Sequence, residues 1–118
     1  MKCVLESLLV LAFMSTLSFA GDAPKKVHEI KFENKLVDGK KTWTPARHKV
    51  KVGEHVKITF VNTLGEDHGA EIPGLVTAMV VSKNASSTAE FDATTEGEYA
   101  VKCQLHPAHV AAVLIVKK

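Results

Sequence analysis

From Glu54 to Asn62 apolar and polar side chains take turns: Val56, Ile58 and Phe60 alternate with Lys57 and Thr59. A period of two places one face in a core and the other in water, which predicts a half-buried β-strand. Related runs predict strands at Val27–Phe32, Arg47–Val52, Leu75–Ser82, Thr88–Asp92, Glu98–Cys103 and Val110–Lys117. Turn-forming residues separate them, at Asp38-Gly39, Val52-Gly53-Glu54, Leu64-Gly65-Glu66, Pro73-Gly74 and Glu96-Gly97. Helical periodicity is not sustained anywhere after the first twenty residues. Short strands at this spacing predict an all-β chain folded as an antiparallel β-sandwich. The stretch from Leu36 to Ala46, with Trp43 and Pro45, fits no period and is expected to be an irregular loop.

The first twenty residues follow a different rule. Lys2 supplies a positive start, Leu8 to Phe13 an apolar run, and Ser18-Phe19-Ala20 a small-residue cleavage site before Gly21. That is the order of a secretory signal peptide. The expected organisation is a signal peptide over 1–20, cleaved after Ala20, and one domain over 21–118. The apolar run is too short, and too broken by Ser and Thr, for a membrane span, so no stable membrane insertion is expected after processing. An uncleaved N-terminal anchor is the competing reading. Export predicts a periplasmic protein.

The remaining hundred or so residues suffice for a single core. The formal net charge of the chain is +2, too small to argue for nucleic acid or an anionic membrane as partner. Cys3 leaves with the signal peptide, so Cys103 stays as the one thiol. An exported chain with one cysteine has no internal disulfide; a metal-bound thiol is then favoured over a free one.

Cys103 has company. In Gly97-x-Tyr99-x-x-x-Cys103-x-x-His106-Pro107-x-His109, one thiol and two imidazoles fall within a single loop between two predicted strands. Thiolate with imidazole is the donor mixture that suits copper and zinc rather than calcium or magnesium. The plainer reading makes Cys103 a small buried hydrophobe, alternating with Tyr99 and Val101, and leaves the histidines in solvent. Pro107 speaks against a floppy loop, because it fixes φ.

At these residues the chain resembles the cupredoxins, the plastocyanin- and amicyanin-like mononuclear copper proteins. The run Cys103-Gln104-Leu105-His106-Pro107 is also similar to the loop of the non-blue relative nitrosocyanin. The resemblance implies a cupredoxin-like Greek-key β-sandwich with Cys103 and His106 as ligands of one copper ion cycling between Cu(II) and Cu(I). It implies His68 as the upstream ligand and puts His109 where Met is usual, so the expected set is His68, Cys103, His106 and His109. Gly69 stands where the family usually has Asn, so the side-chain bond tying the two ligand loops is expected to be missing. The Gly69 N–H still has a route to the Cys103 sulfur. Glu66 is not expected to be a ligand.

The implied activity is one-electron transfer. The implied partner is a redox protein, a cytochrome or an oxidoreductase, docking near His106. Copper trafficking or storage is the alternative, weakened because Met79 is the one methionine outside the signal segment. A nitrosocyanin-like catalytic role has less support, for no general acid or base is evident beyond Glu66 and Asp67, and a structural zinc site is a further alternative. His28, His48 and His55 lie in charged strand-like surroundings and are expected to be solvated; Trp43 and Phe91 are expected in the core.

Overall fold

The computed structural model describes residues 26–118; the expected signal peptide and its cleavage site lie outside the described residues. Nine strands follow one another: β1 (Val27–Val37), β2 (Lys40–Thr44), β3 (Arg47–Lys51), β4 (His55–Asn62), β5 (His68–Ile72), β6 (Val76–Val81), β7 (Ser86–Asp92), β8 (Gly97–Val101) and β9 (Ala112–Lys117). One sheet has the order β2-β1-β4-β7, a second β3-β9-β8, and β5 and β6 form a hairpin. The described residues are all-β, as their alternation predicts. The pairing is mixed in detail, because β1 runs parallel to β4 and β3 parallel to β9.

The stretch expected to be a loop is ordered instead. β1 continues to Val37, Asp38 and Gly39 turn with φ of 52° and 77°, and β2 returns antiparallel to it. Two successive positive φ values give the turn whose twist suits a hairpin. Trp43 points inward from β2 and is fully buried. After the cis Thr44–Pro45 bond the chain crosses to the other sheet as β3. One aromatic among polar neighbours is too little for a period of two to show in the sequence.

Alternation becomes burial in β4, whose inward Val56, Ile58 and Phe60 are fully buried. Phe60 stacks with Phe32 at 6.2 Å between ring centroids and meets Trp43 edge-on at 5.5 Å. Each such side chain removed from water contributes about 1.5 to 3 kcal/mol. Leu114 and Val116 of β9, Val101 of β8 and Ile72 of β5 close the core from the other side. This rigid body holds the segment between β8 and β9, which carries Cys103, His106 and His109.

Candidate metal centre

Cys103 sits just beyond β8. Lys102 and Glu71 exchange two backbone hydrogen bonds of 2.8 and 2.9 Å, which draws the start of the loop against β5. The inward alternation of Val101 and Cys103 then aims the sulfur into the end of the sandwich, where Cys103 is buried. The Gly69 N–H donates to Sγ at 3.1 Å, the contact expected from the sequence. It fixes the direction of the sulfur while the two loops shield it.

His68 opens β5 with no exposed surface. Its Nδ1 lies 3.8 Å from the Cys103 sulfur, and the Nδ1 of His106 lies 3.4 Å from the same atom. One donor atom from each of His68, Cys103 and His106 lies within 4.8 Å of the others. Ligands about 2.0 to 2.3 Å from a shared ion have mutual distances of about 3 to 4 Å, so the three already stand near that spacing. Burial, and then the nearby His106 charge, hold His68 below its ordinary pKa. A neutral imidazole is the form that binds metal.

The outer nitrogens face Glu66. Its Oε2 lies 3.5 Å from His68 Nε2 and 3.7 Å from His106 Nε2. His68 Nε2 is buried and makes no well-directed hydrogen bond. Glu66 also pairs with Lys41, whose hydrogen bond, ahead of its charge and those of His106 and His68, keeps the carboxyl below its usual range. The carboxylate thus stands behind both rings, on the side away from the sulfur. It is not one of the clustered donors.

His109 lies beside the cluster with its nitrogens turned elsewhere. Its ring centroid is 5.3 Å from that of His68 and 5.6 Å from that of Trp43. Nε2 lies 2.7 Å from Asn34 Oδ1 and Nδ1 lies 3.1 Å from the Val110 carbonyl oxygen. A neutral imidazole has one N–H, and the shorter contact assigns it to Nε2. Burial pushes the His109 pKa down to about 4. Three of the four expected ligands are brought together, and His109 adjoins them without sharing their spacing.

Sequence reasoning missed the residues that hold these groups. Asn34 and Asn62 are buried partners, Asn34 Nδ2 donating to Asn62 Oδ1 at 3.3 Å. Asn62 Nδ2 reaches the carbonyls of Glu66 at 2.8 Å and Val81 at 3.1 Å, while its Oδ1 accepts from Leu64 N at 3.1 Å. One amide therefore shapes the loop that delivers His68 and joins, through Asn34, to His109. The only signal was polarity at the inward end of two alternating strands.

The tie expected to be missing at Gly69 has a substitute. Gln104 runs over Gly69 and donates from Nε2 to the Met79 carbonyl at 3.0 Å. A Cβ on Gly69 would meet Gln104 Oε1 at 2.2 Å. Glycine leaves the space, and the Gln104 amide joins the Cys103 loop to β6.

The donor chemistry fits copper. A buried thiol with two imidazoles whose Nδ1 atoms face it, and no carboxylate in the group, suit a soft or borderline ion, which His68, Cys103 and His106 would hold.

Comparison with known proteins agrees. No curated protein matches the sequence significantly. The fold is similar to an apo copper binding protein solved in solution (18% identity over 80% of this chain and 92% of that one, TM-score 0.58). It is also similar to the metal binding domain of the Streptococcus pneumoniae Cu(I) exporting P-type ATPase with Cu(I) (13%, 82% and 92%, TM-score 0.65). Auracyanin B is a third such structure (12%, 82% and 93%, TM-score 0.64). At these identities the likeness establishes the fold. The family model of the cupredoxin-like domain matches residues 5–116, and with a match over nearly its whole length, the chain belongs to the cupredoxin family.

Proposed function

We propose that this protein is an exported mononuclear copper protein that transfers single electrons. The observation that carries this reading is the burial pattern of the cluster: His68 and Cys103 are enclosed, while 31% of the His106 side chain is exposed. One imidazole edge thus leads from an enclosed centre to the surface. Copper bound there supplies a Cu(II)/Cu(I) couple, and the chain's part is to keep the donors in place in both states. The hydrogen bond from Gly69, the Gln104 bridge and the Asn62 amide do so.

A cleft of about 350 Å³ lies beside His106, lined by Gly39, Lys40, Lys41, Pro107, Ala108 and His109. Leu105 and Val110 on the same loop are exposed. An apolar floor with two lysines suits a redox partner, such as a cytochrome or an oxidoreductase, that offers an acidic rim around an apolar contact. Cleavage after Ala20 and action in the periplasm complete the proposal. Trafficking fits less well, because handing over the ion would require opening a buried site, and Met79 packs against the core.

His68, Cys103 and His106 are the proposed ligands, with His109 as a fourth if its ring exchanges Asn34 for the ion. Titration with Cu(II) should give an intense visible band that saturates at one equivalent, and a reversible one-electron wave. A colourless complex without a reversible couple would overturn electron transfer. Replacing His109 by Ala decides the fourth ligand: an unchanged band leaves three ligands, whereas a shift toward blue with a higher potential places His109 on the ion.

A further inference from the structure

We propose that His28 and His48 form a second metal site, for a borderline divalent transition ion such as Zn(II) or Cu(II), at the far end of the sandwich from Cys103. His28 stands near the start of β1, whereas Asn34, which reaches His109, stands near the metal centre. Six residues of strand separate them by about 20 Å. A single ion cannot serve both places.

The two rings are already in chelating range. Their Nε2 atoms are 3.1 Å apart, with the rings edge-on at 86°. Two imidazole nitrogens at about 2.0 to 2.1 Å from one ion, at angles between square-planar and tetrahedral, lie about 2.9 to 3.4 Å apart. The observed spacing falls within that window.

The other nitrogen of His28 is held. Nδ1 lies 3.1 Å from Glu54 Oε1, and the same oxygen accepts the Lys51 backbone N–H at 2.8 Å. Glu54 is itself nearly buried. With its proton engaged by this carboxylate at Nδ1, His28 presents a bare lone pair at Nε2. A carboxylate behind a ligating imidazole is the arrangement that orients metal-bound histidines.

His48 is half-buried and supplies the second nitrogen, its Nε2 facing that of His28. Without a metal, the Nε2–H of His48 bonds to His28 Nε2. With one, His48 moves its proton to Nδ1 and both Nε2 lone pairs turn to the ion.

The site is partly open. The His28 side chain is 29% exposed, and a cleft of about 350 Å³ runs beside it, so water completes the coordination. Lys26, Lys49, Lys51, Lys117 and Lys118 line that cleft and oppose a dication, which makes this site weaker than a thiolate centre.

The test is nuclear magnetic resonance of the imidazoles in the intact protein, first given one equivalent of Cu(I) and then titrated with Zn(II). The His28 and His48 signals should move together and saturate at one added equivalent, with His48 changing from the Nε2–H to the Nδ1–H form. His55 should stay still. Replacing Glu54 by Gln should weaken binding about tenfold, and His48→Gln or His28→Gln should abolish the response of the remaining partner, backbone spectra reporting that each variant is folded. Still signals from both rings, or undiminished Zn(II) affinity in folded His28→Gln and His48→Gln, would overturn the site. The readout belongs to individual rings, so the His28 and His48 response is told apart from any binding at His68, Cys103 and His106.

Discussion

At both ends of the sandwich, imidazoles approach to within a few ångströms of another donor, and the two places differ in what encloses them. Around Cys103 a buried thiol and a fully buried imidazole are held by amides and a backbone N–H, Gly69 on the sulfur, Asn62 on the His68 loop and Asn34 on His109, with Glu66, paired to Lys41, reaching only the outer nitrogens. Around His28 and His48 the neighbours are a carboxylate and lysines open to water. Burial with a thiol suits an ion that stays, while a half-buried pair of imidazoles without one suits an ion that exchanges. Spacing alone does not separate the two; the surroundings do.

The largest effect should come from removing the thiol. Copper-loaded Cys103→Ser is expected to lose its intense visible band completely. Its copper affinity should fall by more than the 10- to 100-fold typical of losing an outer partner, roughly a hundredfold or beyond. The apo-protein's urea midpoint should hardly change, because the strands carry the core. A band that survives would remove Cys103 from the centre and erase the contrast between the ends.

Asn62→Ala should come next. It strips one acceptor and one donor from the Leu64–Glu66 segment and leaves Asn34 without its partner, a loss of about 2 to 3 kcal/mol in equilibrium unfolding. A cost well below 1 kcal/mol would mean that the buried amides do not organise this end.

A change of pH should act on the two ends in opposite senses. His109 titrates near 4 in the folded chain against 6.5 when free. As pH falls from about 6.5 to about 4, the unfolded chain takes up a proton that the folded one does not, so apo-protein stability declines. The shift corresponds to about 3 kcal/mol, or about 1 to 2 after discounting for solvent at a ring that is not fully enclosed. His55, at the other end, is raised above 6.5 by Glu90 and then Asp92. Its contribution is complete below about 6.5 and is lost as pH rises through the higher folded value. Melting curves of His109→Gln and His55→Gln across this range should flatten the acid and the alkaline dependence respectively. Identical pH profiles for both variants would show that the difference in enclosure has no energetic consequence.

Gly69→Ala is expected to be the mildest change. Its methyl group displaces the tip of Gln104, a flexible side chain, so the cost is the bond to the Met79 carbonyl, about 0.5 to 1.5 kcal/mol. The same cost should appear in Gln104→Ala, and the double variant should cost little more than either alone. Full additivity would show that the two residues act independently.

Much of the scaffold was legible because its rule is local. Val56, Ile58 and Phe60 alternate with polar residues wherever the strand lies, and the alternation marked β4 almost to the residue. β5 escaped notice: His68-Gly69-Ala70-Glu71-Ile72 is short and buried on both faces near its start, so no period of two marks it. β2 escaped because it shows one inward aromatic among polar side chains. His28 and His48, read as solvated, are partly enclosed and paired, since strands twenty residues apart in sequence fold against each other.

By itself the sequence determined the all-β scaffold and the loop that carries Cys103, His106 and His109, since alternation and ligand spacing are both written over a few consecutive residues. Resemblance extended that to His68. Only the tertiary structure decided which donors meet: His68 with Cys103 across 35 residues, Gln104 over Gly69, His109 turned to Asn34, and His28 against His48. Those contacts depend on how sheets pack and where each loop is tethered, and packing couples residues whose neighbours in the chain carry no trace of the partner.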